Sequence, residues 1–402
     1  MKKALWMTRE ALKAVKAKRK AWNRYFYSGG PQQYEEFKVK RNIATAAVRN
    51  AQRNYEKRLA ENIKTDPKSF WKLVRSKTHT KSTIGELQKE NGEVATTDED
   101  KAEALNNHYR KVFTTEDTST IPVLKQRFVS TLDTIVIDQS TVDQQLQSLK
   151  TNCAAGPDGL PSLILKEAHA ELAIPLSKIF QRTLDEEYLP NDWREANITP
   201  IYKRGNRTLP VNYRPVNLTS VVCKVMESII RDYIMEHLIR NQIITDAQYG
   251  FTKGRSCALQ LITAFEAWTS AVDDGYPVDI TYLDFQKAFD TVPLQRLQMK
   301  LWSVGIRGQV HKWLCGFLNN RRQRLLVNGK QSSWQEVVSG VPQGSVLGPV
   351  LFLIFINDMP EEVNCLIHLF ADDTKLSKVI QKSEDFTYMQ DDLDALYNWS
   401  QK

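Results

Sequence analysis

The chain has 402 residues, 42% hydrophobic and 25% charged, an ordinary balance for a globular protein with room for two or three domains of about 100–200 residues. Its five cysteines form no C-x-x-C pair and its six histidines show no ligand spacing; this excludes a disulfide framework and a zinc module and makes an intracellular protein with reduced thiols the expectation. The net charge of +8 is lopsided: residues 1–75 hold 20 Lys and Arg against 6 Asp and Glu, the remainder 35 against 41.

From Thr8 to Arg75 the sequence reads as helix, rich in Ala, Lys, Arg, Glu and Gln, and Ser28-Gly29-Gly30-Pro31 breaks it in two. In the second helix Tyr34, Phe37, Ile43, Ala47, Tyr55, Leu59 and Ile63 fall roughly at helical spacing, with Lys38, Arg41, Arg49 and Arg53 among the basic residues around them. Such a block is a candidate nucleic-acid surface, because neutralising phosphates releases counterions whatever the base sequence. The same pattern suits a helix that packs its aromatics and solvates its cations. Asp66 to Val74 reads as a short Asp-capped helix with Pro67 in its first turn. Residues 76–140 read as a polar connector, with a small hairpin about Asn91-Gly92 and a helix from Asp98 to Phe113.

Thr141 to Leu149 is a predicted helix leading into the Gly156-Pro157-Asp158-Gly159 turn, and Leu163 to Glu187 is one helix or two, interrupted at Pro175. Ala196 to Tyr202 is a strand that delivers Lys203, and Gly205 to Asn212 is a loop before Arg214. Helices follow at Ser220–Arg240 and Ser256–Val272, with a loop from Tyr249 to Arg255 between them. Pro293 to Gly305 and Gln309 to Asn320 are helical, Arg321 to Val327 opens a hairpin at Asn328-Gly329, and Val337 to Gly344 is a loop before a helix from Ser345 to Asp358. The longest apolar run, Val350 to Ile356, is far short of the ~20 residues of a membrane span, so no membrane partner is expected.

Two segments carry chemistry. Val278 to Asp284 alternates as a strand and ends in an acid; Cys365 to Phe370 and Leu376 to Ile380 flank Asp372-Asp373, which reads as strand, tight turn, strand. Holding adjacent carboxylates costs repulsion unless a cation compensates. If the first strand lies beside the hairpin, Asp284 and Asp372 face each other and offer oxygen ligands to hard divalent metals.

Tyr282-Leu283-Asp284-Phe285-Gln286-Lys287-Ala288-Phe289-Asp290, Ser339-Gly340-Val341-Pro342-Gln343-Gly344-Ser345 and Phe370-Ala371-Asp372-Asp373 resemble, in order and spacing, three palm motifs of reverse transcriptases. The form resembles that of non-LTR, LINE-type, jockey-like retrotransposons. The match continues upstream through Ala155 to Leu160, Trp193 to Lys203, Asn212 to Leu218 and Gln248 to Ser256, and collinear blocks are far more specific than one short motif.

The resemblance implies an α+β right-hand polymerase: helical fingers over residues 141–275 and an antiparallel palm sheet with helices over 276–402, preceded by the basic helical extension. It implies RNA-directed DNA polymerisation by a two-metal mechanism, with Mg²⁺ (Mn²⁺ being possible), deoxynucleotide triphosphates, an RNA template and a DNA primer or nicked target DNA. Asp284, Asp372 and Asp373 would be the catalytic, metal-holding acids; Lys203 and Arg214 would hold the triphosphate; and Ala371 would be small where the primer end comes close. Phe289 would lie beneath the sugar and exclude a 2′-hydroxyl. RNA-dependent RNA polymerases, which resemble the same palm, usually carry Asp there. Gln343 and Gly344 would touch the incoming nucleotide, and Arg255 with Phe251 would brace template.

The sequence stops at Lys402, soon after a helix from Asp391 to Trp399 that in relatives precedes the last palm strands and the thumb. A chain without thumb, upstream endonuclease or Cys/His knuckle, and with one exposed sheet edge, is therefore expected. Two readings follow: a reverse transcriptase with intact catalytic chemistry, or a catalytically silent remnant that binds RNA through its basic helices.

Overall fold

The structure is a computed structural model and describes residues 6–62, 65, 66, 69–71, 73, 84–119, 122 and 124–401. Its chain divides into two compact units, Met1–Thr83 and Ile84–Lys402. In the first, the Thr8 hydroxyl caps the helix Arg9–Ser28 by accepting the Ala11 N–H (3.2 Å), and Gly29 ends it at φ +65°. Pro31 then starts a second helix, Pro31–Glu61. The two pair through small buried residues, Ala11, Ala21, Ala44 and Ala51, which let the backbones come close. Near the turn Trp22 meets Phe37 (4.9 Å between centroids) and Tyr25 meets Tyr34 (5.0 Å). Of the predicted Asp66–Val74 helix, Asp66 accepts the Ser69 N–H (3.2 Å); Pro67, Lys68, Lys72 and Val74 lie outside the described residues.

The second unit contains strands β1 (Leu87–Gln88), β2 (Val94–Ala95), β3 (Glu195–Tyr202), β4 (Tyr213–Leu218), β5 (Val278–Leu283), β6 (Arg321–Val327), β7 (Lys330–Gln331), β8 (Gln335–Val337), β9 (Leu366–Phe370) and β10 (Asp373–Val379). β1 and β2 form the small hairpin at Asn91-Gly92. A five-stranded sheet runs β4-β3-β6-β7, with β8 also on β6. Its β3–β4 pair is the antiparallel hairpin read from the sequence, whereas β3 and β6 are parallel, with Ile198 beside Leu325. The helix Asp98–Arg110 and the β1–β2 hairpin cover this sheet, sharing a core of Leu87, Ala102, Leu105, Ile198, Tyr213, Leu325 and Val327. Residues 84–110 are thus built into the sheet's core, not a connector, and the boundary expected near residue 75 falls at Thr83.

The other sheet is antiparallel, in the order β5-β10-β9. Helix Glu384–Gln401 packs under it through Met389 and Leu396, and the buried Asp392 carboxylate accepts the Asn364 (3.0 Å) and Cys365 (2.7 Å) N–H groups where β9 begins. The main core is built mostly by helices, with Phe180, Met226, Ile230, Leu297, Trp313, Phe317 and Leu351 buried in it. Helix Gly348–Ile356 is apolar on every side and correspondingly buried. Pro175 does not interrupt the chain as expected: the break falls at Ala168, between Ser162–Glu167 and His169–Asp185, and Pro175 lies inside the second helix. Among the described residues no helix is long and apolar enough to cross a membrane.

Candidate active site

The strand alternation that ends in acid on β5 and the Asp-Asp pair of the β9–β10 hairpin meet because β5 pairs with β10, Leu283 beside Thr374. Continuing that register sets Asp284 beside Asp373. The last β9–β10 pair is Phe370 with Asp373, so Ala371-Asp372 forms a two-residue turn, with Ala371 at φ +56°. Asp284 and Asp373 are exposed, and Asp372 is partly buried. Burial pushes the Asp372 carboxyl above the usual carboxylate range, and the charges of Asp373 and Asp284 push it further, against an opposing pull from Arg214. All three acids and one cation therefore share one electrostatic site.

The donor set at this junction is oxygen only and carries surplus negative charge, which fits a hard divalent cation and not zinc. Among the described residues no group of three or more Asp, Glu, His or Cys is placed to hold a metal ion.

Lys203 and Arg214 stand on the β3–β4 hairpin. The Lys203 N–H donates to the Asn212 carbonyl (2.8 Å) and Arg214 lies beside Ile201, so the two cations fall on one face while Tyr202 and Tyr213 occupy the other. Both are exposed, and among the described residues neither is in an ion pair. Phe289 stacks on Phe352 (4.1 Å) and meets Phe251 edge-on (6.4 Å), which fixes its ring.

The loop before helix Gly348–Ile356 is clasped to the turn after β5. The Val341 N–H donates to the Phe289 carbonyl (2.8 Å), the Ser339 hydroxyl to the Asp290 carbonyl (2.7 Å), and Gln343 Nε2 to Asp290 Oδ1 (2.6 Å). The Gln343 amide, expected on the nucleotide, is thus bonded to Asp290, whose carboxyl is pushed up by burial. Gly344 is exposed at φ +95°. Gly340 is at φ +89°, and a Cβ there would lie 2.7 Å from the Asp290 carbonyl oxygen. Gly340→Ala is therefore expected to destabilise the fold by at least about 2 kcal/mol, since backbone cannot give way as a side chain can. Gly159→Ala, at φ +69° with nothing within 4 Å, is the control and should lose about 1 kcal/mol. Urea unfolding of the two variants checks the difference.

Arg255, expected against template, is held within its own loop: its guanidinium bonds Asp246 Oδ1 (2.6 Å) and the carbonyls of Asp246 and Gln248. Phe251 stays 55% exposed. In the first unit, Lys38 pairs with Glu35 (2.7 Å) and lies over the Tyr34 ring, Arg41 touches Asn42 (3.3 Å), and Arg49 and Arg53 are exposed. Helical spacing sets Lys38, Arg41, Arg49 and Arg53 on one side of their helix.

Sequence reasoning missed Glu227. It is fully buried, and its Oε2 accepts the Val346 (2.7 Å) and Leu347 (3.1 Å) N–H groups that follow the Gln343-Gly344 turn. The signal was present: a lone acid inside the apolar run of Val225, Met226, Ile229 and Ile230.

Residues 201–402, half of the chain, match the family described as reverse transcriptase (RNA-dependent DNA polymerase). Over 405 residues the chain is 26% identical to the "Probable RNA-directed DNA polymerase from transposon BS" of Drosophila melanogaster, covering 92% of this chain and 43% of that protein. It is 25% identical to the RNA-directed DNA polymerase from mobile element jockey of Drosophila melanogaster (97% of this chain, 45% of that one) and 27% identical to the jockey polymerase of Drosophila funebris (86% and 40%). The chain spans less than half the length of these curated relatives. The acids at the β5 and β9–β10 strand ends and these similarities agree: the chain belongs to the reverse transcriptase (RNA-dependent DNA polymerase) family, in its jockey-like, non-LTR form.

Proposed function

We propose that this chain carries the fingers and palm of an RNA-directed DNA polymerase of a non-LTR retrotransposon, extending a primer 3′-hydroxyl with deoxynucleotides on an RNA template. The observation that carries the reading is the β5–β10 register, which brings Asp284 to Asp372-Asp373 within the electrostatic reach of Arg214. Asp284 and Asp372, supported by Asp373, would hold two Mg²⁺ ions, or Mn²⁺; when bound, these supply charge neutralisation for phosphoryl transfer and polarise the attacking hydroxyl. Lys203 and Arg214 hold the triphosphate by charge, on a face where neither pairs with an acid among the described residues. Phe289, locked by Phe352, supports the sugar and leaves no room for a 2′-hydroxyl. Gly344 lets nucleotide approach the backbone, while Gln343 keeps the loop on Asp290. Arg255 braces the loop that carries Phe251.

The basic helical unit binds RNA by phosphate neutralisation. Replacing Arg41, Arg49 and Arg53 together by alanine is expected to weaken RNA binding and to lower the slope of log affinity against log salt by about 2, at roughly 0.7 per single-strand phosphate contact. Filter binding over a salt series measures it.

The test of the whole reading is primer extension on poly-rA with an oligo-dT primer, Mg²⁺ and labelled dTTP, beside the Asp284→Ala/Asp372→Ala double variant. Incorporation by the parent alone supports the proposal. Incorporation by neither, with RNA still shifted in a gel, would make this chain an RNA-binding remnant.

A further inference from the structure

The outer edge of β9 is covered by the segment Ala247–Tyr249, which runs parallel to it: the Leu369 N–H donates to the Ala247 carbonyl and the Tyr249 N–H to the Leu369 carbonyl, both at 2.8 Å. Gln248, in the middle of this segment, is 2% exposed. Its Oε1 accepts two backbone N–H groups, Gly250 at 2.7 Å and Ala371 at 3.0 Å. Two donors converging on one atom require an oxygen there, so chemistry fixes the orientation of the amide.

The Ala371 N–H lies beyond the last β9–β10 pair and has no partner on either strand. Ala371 is also left-handed at φ +56°, a conformation an alanine keeps only where its surroundings hold it. Gly250 makes the contact possible: a Cβ there would lie 2.5 Å from the Ala371 nitrogen. Packing does not explain the choice of glutamine, because its Nε2 is buried with no hydrogen-bond partner among the described residues. An apolar side chain of the same shape would remove that orphan but leave both N–H groups unmet.

We infer that Gln248 is a positioning residue for the acidic turn: its side-chain oxygen holds the Ala371 N–H and thereby sets the direction of the Asp372 carboxylate. This rests on the polymerase reading above, in which Asp372 is catalytic. Gln248 touches no reacting atom. It acts because Ala371 and Asp372 are the whole turn, so a rotation at Ala371 swings the carboxylate directly. A misplacement of about 1 Å at a reacting group typically costs about 10²-fold in rate.

The experiment compares the full-length parent with Gln248→Met, which keeps the volume and loses the acceptor, and Gln248→Glu, which keeps an acceptor oxygen in the same place. Expected in primer extension is a kcat about 10²-fold lower for Gln248→Met, a KM for dTTP within about threefold, unchanged RNA gel shift, and recovery to within about fivefold of the parent in Gln248→Glu. Phe180→Leu, a core change far along the chain from the turn, should lower the melting temperature without this loss of kcat. Hydrogen exchange of the 366–376 peptide gives a readout independent of activity. Gln248→Met should accelerate exchange there and Gln248→Glu should not. Parental kcat in Gln248→Met, equal losses in both variants, or unchanged exchange in Gln248→Met would each overturn the assignment. If the parent itself incorporates nothing, the polymerase reading fails and the exchange comparison still decides whether Gln248 holds the turn.

Discussion

Asp372→Ala is expected to lower deoxynucleotide incorporation on the order of 10³-fold or more while leaving RNA retention unchanged. Asp372 is the acid that three features of the site act upon. The turn places it at the hairpin tip, partial burial raises its carboxyl, and Asp284, Asp373 and Arg214 all act on it electrostatically. Such crowding is unfavourable for folding: like charges are held together with one cation to offset them. The same substitution should therefore leave the melting temperature unchanged or raise it. Loss of activity with a stable or stabilised fold is the signature of a residue kept for chemistry at the cost of stability. A parallel drop in melting temperature and RNA binding would instead assign Asp372 to the scaffold and remove the separation between a catalytic palm and an RNA-binding helical unit. Asp372→Asn refines the result. It keeps the shape and removes the charge, so comparable inactivity would show that the negative charge is what the site requires.

These acids were legible because the information is local. A strand of period two that ends in Asp284, and two apolar runs around Asp372-Asp373, name their own secondary structure, and only the pairing of β5 with β10 had to be supplied. Hairpins at Asn91-Gly92 and Asn328-Gly329 were visible for the same reason. The parallel pairing of β3 with β6 was not. Glu195 and Arg322 are 127 residues apart, and parallel strands carry no turn signature to announce the partner. Residues 76–140 read as a polar connector because they are mostly polar, yet Leu87, Ala95, Ala102, Leu105 and Tyr109 within them are taken by the second core. The ion pair of Arg255 with Asp246, nine residues earlier, carries no periodic signal in the sequence. Gln248 and Glu227 were hidden for a common reason. Each is a polar residue whose partners, Ala371 and the Val346–Leu347 amides, lie more than a hundred residues later in the chain.

Glu227 supports the loop from beneath, and Glu227→Leu is expected to cost about 3 kcal/mol or more in urea unfolding. Two effects add. The Val346 and Leu347 N–H groups at the entry to helix Gly348–Ile356 lose their acceptor, and the fully buried Arg321 loses the negative charge near it. Among the described residues, Arg321 then keeps the Phe317 (3.0 Å) and Trp193 (3.4 Å) carbonyls on one nitrogen. The pH dependence separates charge from hydrogen bonding. Burial raises the Glu227 carboxyl above its ordinary value, opposed by the two N–H bonds and by Arg321 and Lys224. The folded chain therefore holds this proton more tightly than the unfolded chain, whose Glu titrates near 4.3. Between that value and the raised one the native state binds more protons, so this residue's contribution weakens as pH rises through the window and stays lower above it. Glu227→Gln keeps an oxygen for both N–H groups and never ionises, so its stability relative to the parent should shift in its favour as pH rises from 4 upward. A gap that stays constant with pH would mean that the Glu227 carboxyl titrates alike in the folded and unfolded chain, the two N–H bonds and the nearby cations cancelling the effect of burial.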